Sequence, residues 1–124
     1  MMKIKKARQI LKSFADDTRL RILNLLKNKK EVNVTDICRV LDKNQSNVSK
    51  HLTRLRLTGV VGDKREGNNV HYFLAKPTTK AHRELLNAIF YGLPEFEIFK
   101  EDIKKFNSIF GKEKRQKTYP AKRK

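Results

Sequence analysis

The feature that most constrains the fold is a change of hydrophobic period at Gly59. Upstream, apolar residues recur at helical spacing in two short segments that are joined by a polar turn at residues 42–44. Downstream, an alternation with a period of two begins at residues 60–61 and returns at residues 70–74, after turn-forming residues at 65–69. A glycine at such a junction suits the left-handed end of a helix. Two short helices followed by a β-hairpin predict a winged helix-turn-helix.

Further helices are predicted on both sides of this unit. Residues 3–14 form a basic amphipathic pattern, and Asp16 or Asp17 can cap a following leucine-rich helix. After the hairpin, a helix is predicted at about residues 79–91, and a last helix carries Phe96, Phe99, Ile103, Phe106 and Phe110 at heptad spacing. The fold class is therefore α+β and mostly helical, with further helices at the N- and C-terminal sides of the winged helix-turn-helix.

Composition divides the chain into one domain and a tail. Residues 1–111 contain no linker or repeat and are predicted to form a single domain, the winged helix-turn-helix with its flanking helices. From residue 112 the sequence reads KEKRQKTYPAKRK, which has almost no apolar side chains and a strong positive charge. We expect residues 112–124 to be a disordered basic tail.

Net charge narrows the class of partner. The 124 residues carry 30 Lys and Arg against 13 Asp and Glu, a formal charge of +17. This excess is larger than solubility requires and favours a polyanion, because each neutralised phosphate releases counterions. Cys38 is the single cysteine, so an internal disulfide is excluded and a cytoplasmic protein is predicted. No apolar run approaches a membrane span, so we expect no membrane partner.

The second helix of the helix-turn-helix has the composition of a recognition helix. Val48, Leu52 and Leu55 form its buried stripe, and the remaining positions offer short or bidentate hydrogen-bonding groups that suit base edges in the major groove. A basic hairpin tip beside it suits phosphates or the minor groove. The candidate DNA contacts are Gln45, Ser46, Asn47, Ser49, Lys50, Thr53 and Arg54 in the helix and Lys64, Arg65, Asn68, Asn69 and His71 in the hairpin.

Two other functional classes compete with sequence-specific DNA binding. A nonspecific nucleic-acid-coating or RNA-associated protein would use the same wing and tail, but pure coating favours Lys and Arg throughout rather than uncharged hydrogen-bonding groups. An enzyme needs a nucleophile–base pair or a metal constellation, and one cysteine with three scattered histidines supplies neither. We therefore predict sequence-specific binding of double-stranded DNA and no enzymatic activity.

Four segments resemble the ArsR/SmtB family of winged-helix repressors: FADDTRLRILNLL, VTDICRVL, QSNVSKHLTRLRLTGVV and DKREGNNVHYFL, within roughly residues 10–76. The resemblance implies a homodimer that represses transcription until an effector binds. It also implies that the first helix and the helix after the wing form the dimer interface, and the apolar stripes of both agree. The candidate interface residues are Ile4, Ala7, Ile10, Leu11, Ala81, Leu85, Ala88 and Ile89.

The best-known members of that family sense metals or metalloids, but both motifs differ in this chain. One family site resembles E-L-C-V-C-D-L-C, whereas residues 31–38 read E-V-N-V-T-D-I-C and retain only Cys38. The other uses an Asp-x-His pair and a later histidine, whereas this chain has Lys80-Ala81-His82 and no histidine afterwards. A single thiol is a poor site for a soft metal. We expect no metal site of either type and no cofactor, and the effector stays open.

Overall fold

The computed structural model describes residues 3–92 and 95–116. Within them, six helices surround a three-stranded antiparallel sheet. The helices are α1 Ile4–Ser13, α2 Asp17–Lys29, α3 Val34–Leu41, α4 Gln45–Leu57, α5 Lys80–Gly92 and α6 Glu97–Gln116, and the strands are β1 Glu31–Asn33, β2 Val61–Glu66 and β3 Asn69–Leu74. This architecture confirms the predicted α+β winged helix-turn-helix.

Side-chain caps begin three of the helices. Asp16, Asn33 and Asn44 each accept a hydrogen bond from the backbone N–H three residues later, at 3.0, 2.8 and 2.8 Å. Each cap satisfies a backbone donor that the first helical turn leaves unpaired and contributes about 1 kcal/mol. Between α3 and α4, Asp42 adopts a left-handed conformation with φ 57°, which a short polar side chain tolerates and which makes the turn tight.

The wing follows α4 as predicted and is slightly longer than expected. Gly59 has φ 80°, so it ends α4 in the left-handed region that the sequence indicated. Strands β2 and β3 pair from Val61 opposite Leu74 to Glu66 opposite Asn69, which leaves a two-residue turn at residues 67–68. The predicted loop at 65–69 is therefore partly strand.

A third strand, β1, lies on the other side of β3 and was not predicted. Its three residues pair antiparallel with residues 71–73, and Val32 at its centre is buried. The strand follows directly on α2, because Lys30 turns the chain with φ 71°. Three residues are too few to show an alternation in the sequence, so only the fold reveals this strand.

The hydrophobic core lies between α2, α3, α4 and the inner face of the sheet. The predicted stripe on α4 is confirmed, since Val48, Leu52 and Leu55 have no exposed surface. The other core residues with no exposed surface are Ile10, Ile22, Leu23, Leu25, Ile37 and Val60. Burial of this stripe fixes the rotation of α4 about its axis and turns its opposite side to solvent.

Helix α6 returns across the body and packs on α2 and α3 of the same chain. Phe99 and Phe106 of the predicted heptad seam are buried there. Asp102, whose side chain is 3% exposed, accepts two hydrogen bonds from the guanidinium of Arg21, at 2.9 and 2.8 Å. Asn24 donates to the carbonyl of Phe99 at 3.2 Å. These two seam residues therefore pack within the chain, whereas Phe96 precedes α6 and is 56% exposed.

The end of α6 overlaps the predicted tail. The helix includes residues 112–116 beyond a break at Gly111, where φ is 72° and ψ is −175°. These five positions belong to the predicted basic tail, and their lysines and glutamate are good helix formers. The boundary between domain and tail stays a prediction. Residues 117–124, the remainder of the predicted tail, lie outside the described residues. Of the helices in the described ranges, none is long and apolar enough to cross a membrane.

Candidate nucleic-acid interface

Helix α4 presents one continuous polar side opposite its buried stripe. Ser46, Lys50 and Thr53, at positions i, i+4 and i+7, are all exposed. Gln45 and Arg54 are also exposed and flank this row. None of these side chains takes part in a hydrogen bond or ion pair with the described residues. Five of the seven predicted helix positions are thus available to a ligand that approaches from solvent.

Asn47 and Ser49 are half-buried at the two edges of this side. The amide oxygen of Asn47 lies below the surface and has no hydrogen-bond donor among the described residues. In this conformation the oxygen is inaccessible to a base. Asn47 therefore offers less to DNA than the sequence suggested.

The tip of the wing is polar and exposed. Arg65 is on β2, Asn68 is in the turn, and Asn69 begins β3, and all three are open to solvent. Lys64 is exposed too, but its ammonium nitrogen lies 3.3 Å from Glu31 and 3.7 Å from Glu66. Arg65 is consequently the wing cation least committed to carboxylates.

A charged cluster on the wing was missed at the sequence level. His71 was expected to face outward toward phosphate, but its ring is half-buried and lies 3.8 Å from Glu31 and 3.5 Å from Glu66. Glu31 is the deepest member, with 7% of its side chain exposed. Glu31 comes close to His71 only because β1 pairs with β3. Since the sequence does not predict β1, it does not predict this cluster either. Two carboxylates beside Lys64 reduce the attraction of this face for DNA.

The candidate dimer residues fall into two groups on α1 and α5, which pack side by side. Ile4 and Leu11 are 82% and 52% exposed, and Ala81 and Ala88 are exposed as well. Ala7, Leu85 and Ile89 are half-buried. Ile10 differs, because it is fully buried in the chain's own core and has no surface left for a partner.

One exposed aromatic residue extends the same side of α5. Tyr91, which is 80% exposed, follows Ala81 and Ala88 at i+10 and i+3 and lies on their face of the helix. It was not among the predicted interface residues, although its spacing was visible. Exposed apolar groups gathered on two adjacent helices are typical of a surface that a partner covers.

Comparison with known proteins assigns the chain to a family. Residues 16–62 match the model for "Bacterial regulatory protein, arsR family". Transcriptional repressor PagR of Bacillus anthracis is 37% identical over 81 residues, which are 65% of this chain and 81% of PagR. The chain belongs to the ArsR family. Members of this family are transcriptional regulators rather than enzymes, and together with the winged fold this makes the chain a DNA-binding transcriptional regulator.

Other ArsR-family comparisons agree on the winged unit. The arsenical resistance operon repressor of Escherichia coli K12 is 43% identical over 67 residues, and the match spans 54% of this chain and little more than half, 57%, of that repressor. The solution structure of a homodimeric winged helix-turn-helix DNA-binding domain, Mb0332 from Mycobacterium bovis, superposes with a TM-score of 0.62 at 26% identity, covering 74% of this chain and 82% of that one.

The positions that correspond to ArsR-family metal motifs have other environments here. Cys38 is half-buried against the core, and burial raises the pKa of its thiol, which keeps it protonated at neutral pH. His82 is buried between α5 and α1, and burial followed by the nearby charge of Lys6 lowers its pKa. Within residues 3–92 and 95–116, no three His, Cys, Asp or Glu side chains are grouped closely enough to hold a metal ion.

Proposed function

We propose that this chain acts as a homodimeric repressor that binds an inverted repeat in double-stranded DNA through α4 and the wing. The observation that carries the proposal is the exposed row of Ser46, Lys50 and Thr53 on a helix whose other side is locked into the core. Rigid backbone behind an unpaired hydrogen-bonding surface is what base recognition requires.

Sequence discrimination is assigned to the exposed side of α4 between Gln45 and Thr53. Gln45 can form a bidentate pair with adenine, and the hydroxyls of Ser46 and Thr53 can donate or accept at either base of a pair. Ser49 lies at the edge of the same surface. The N-terminal part of a recognition helix points into the groove, so these positions come closest to the bases.

Affinity is assigned to the cations around this helix. Lys50 and Arg54 are exposed on α4, and Arg65 is exposed on the wing. Phosphate contacts fix the position of the protein on the duplex and make its affinity depend on salt. The formal charge of +17 adds long-range attraction to any stretch of DNA. We place this activity in the cytoplasm.

A symmetric dimer is supported by the surfaces of α1 and α5. The exposed side chains of Ile4, Leu11 and Tyr91 lose contact with water when a second copy covers them, and each buried side chain contributes about 1.5 kcal/mol or more. A twofold axis would present two recognition helices to successive major grooves, about 34 Å apart. The DNA site would then be an imperfect palindrome.

The competing proposal is nonspecific coating of DNA or RNA, which the charge of the chain alone would also support. Competition at fixed salt separates the two. The purified protein is bound to a labelled inverted repeat selected by the protein itself, and unlabelled repeat, scrambled duplex and RNA are added in turn. Repression predicts that scrambled duplex and RNA compete at least about a thousandfold less well than the repeat. Equal competition by all three would support coating and contradict the proposed function.

The sign of regulation is tested separately with a reporter gene behind the selected site. We expect expression to fall when the protein is supplied, because a dimer covering the site obstructs transcription. Increased expression would contradict repression while leaving DNA recognition intact.

A further inference from the structure

A hydrogen-bonded network joins the recognition helix to the junction of α1 and α2. At its centre, the guanidinium of Arg19, in the first turns of α2, donates through Nη1 to Nδ1 of His51 on α4, at 3.0 Å. The same guanidinium donates through Nε to the carbonyl of Ser13 at 2.7 Å and through Nη2 to the carbonyl of Lys12 at 3.4 Å. One side chain thus binds the C-terminal end of α1 and the middle of α4 together.

Asp16 holds the Arg19 end of the network in place. The backbone N–H of Arg19 donates to the Asp16 carboxylate at 3.0 Å, which is the N-cap of α2. The Asp16 carboxylate also lies 3.6 Å from Nδ1 of His51. The ring of His51 is 14% exposed, so water competes little with these contacts. An arginine side chain is always a donor, so Nδ1 of His51 must accept and the ring carries its proton on Nε2.

We propose that Arg19 and His51 are positioning residues for DNA recognition. Their hydrogen bond sets the angle between α4 and α2, and therefore the angle at which α4 meets the DNA. The inference rests on the proposed function, since the angle matters only if α4 enters the major groove. His51 lies at the edge of the buried stripe, one residue before Leu52, and its side chain forms a hydrogen bond from α4 to α2. Because α1 also carries exposed dimer candidates, the same link joins the dimer surface to the DNA surface.

The charge around His51 favours the accepting form of the ring. Burial, followed by the positive charges of Arg19, Lys50 and Lys43, lowers the pKa of His51, while the carboxylate of Asp16 opposes this shift. A neutral ring at pH 7 keeps Nδ1 free to accept. Protonation would place two cations in contact and remove the acceptor, so the link should fail in acid.

Three variants test the proposal in the whole 124-residue chain. His51→Phe keeps a ring of similar shape but removes the acceptor nitrogen. His51→Asn keeps an amide oxygen near the position of Nδ1. Arg19→Lys keeps the positive charge but loses the planar guanidinium that donates to several acceptors at once. We expect His51→Phe to lower affinity for the selected inverted repeat about tenfold. Arg19→Lys also weakens the bonds to the carbonyls of Ser13 and Lys12, so it should lower affinity at least as much, and the double variant should be no worse than Arg19→Lys because the bond to His51 is already lost. His51→Asn should stay within about threefold of the wild type.

Two readouts separate positioning from other roles. Affinity for scrambled duplex and the slope of log affinity against log salt should be unchanged in His51→Phe, because no phosphate contact is lost. Specific affinity of the wild type should fall as the pH is lowered through the depressed pKa of His51, and His51→Asn should lack this fall. Thermal melting checks each fold, and if His51→Phe melts early, His51→Asn and Arg19→Lys provide the comparison.

Several results would overturn the inference. Wild-type specific affinity in both His51→Phe and Arg19→Lys would show that the link does not set the angle. A reduced salt slope in His51→Phe would identify a phosphate contact instead. A tenfold loss in His51→Asn would show that the acceptor is not what matters. If the wild-type protein binds the repeat and scrambled duplex equally well, the proposed function is wrong. That result differs from one in which the wild type is specific and the variants keep its specific affinity, which contradicts only the positioning role.

Discussion

Replacing Lys50 with alanine is expected to flatten the salt dependence of DNA binding. Lys50 is exposed at the centre of the polar side of α4, and no described residue forms an ion pair with it. Its charge is therefore free to neutralise one phosphate per subunit. Each phosphate contact contributes about 0.9 to the slope of log affinity against log salt, so a dimer that loses two contacts should lose about 1.8 from the slope.

That slope has a measurable consequence. Between roughly 50 and 200 mM salt, the fourfold change in concentration makes the loss of affinity about twelvefold smaller in Lys50→Ala than in the wild type. Fluorescence anisotropy on the selected inverted repeat at five salt concentrations gives both slopes. Lys104→Ala, which removes an exposed lysine from α6, is the matched control and should keep the wild-type slope on specific DNA. An unchanged slope in Lys50→Ala would refute the phosphate contact.

Three other perturbations test the dimer surface, the α6 contact and the buried histidine. Leu11→Glu should yield monomers in sedimentation, because Leu11 is 52% exposed and the charge would lie in the interface; a persisting dimer would rule that surface out. Asp102→Asn should lower the free energy of unfolding in urea by about 3 kcal/mol, since it breaks a buried ion pair, whereas Asp63→Asn, at an exposed 3.9 Å pair, should cost less than about 1 kcal/mol; equal losses would contradict this. Burial lowers the pKa of His82 in the folded protein, so its contribution to stability is present above about pH 6.5 and is lost as the pH falls. His82→Leu should therefore reduce the fall in melting temperature between pH 7 and 5. An unchanged fall would show that His82 is not responsible.

The parts of the fold that could be predicted from sequence are those with a strong local signal. The stripe of Val48, Leu52 and Leu55 repeats at helical spacing, and Gly59 occupies a position that favours a left-handed residue. Caps such as Asn33 depend only on the three residues that follow. Each of these signals lies within about two helical turns of sequence, so no tertiary contact was needed to interpret it.

The parts that could not be predicted depend on contacts between distant segments. Strand β1 gains its hydrogen bonds from β3, some forty residues later, and it brings Glu31 beside His71. Ile10 lies on the predicted stripe of α1, but only the packing of that helix shows that Ile10 faces its own core rather than a partner. The aromatic residues at the start of and along α6 have the spacing of a coiled-coil seam, but Phe99 and Phe106 are buried within the same chain, where α6 packs on α2 and α3.

The pairing of Arg19 with His51 combines both kinds of signal. Each residue lies in a segment that resembles the family, yet the two are 32 positions apart and belong to different helices. Periodicity places His51 beside the buried stripe without naming its partner. The fold supplies the partner, and with it a reason for a histidine at this position.

The most direct test of the central claim is selection of DNA from a random pool by the purified wild-type protein, followed by sequencing. A symmetric dimer that reads bases through α4 predicts an enriched motif made of two inverted half-sites whose centres lie about 10 base pairs apart or a multiple of that distance. A pool that stays random, or a motif without twofold symmetry, would contradict sequence reading by paired recognition helices.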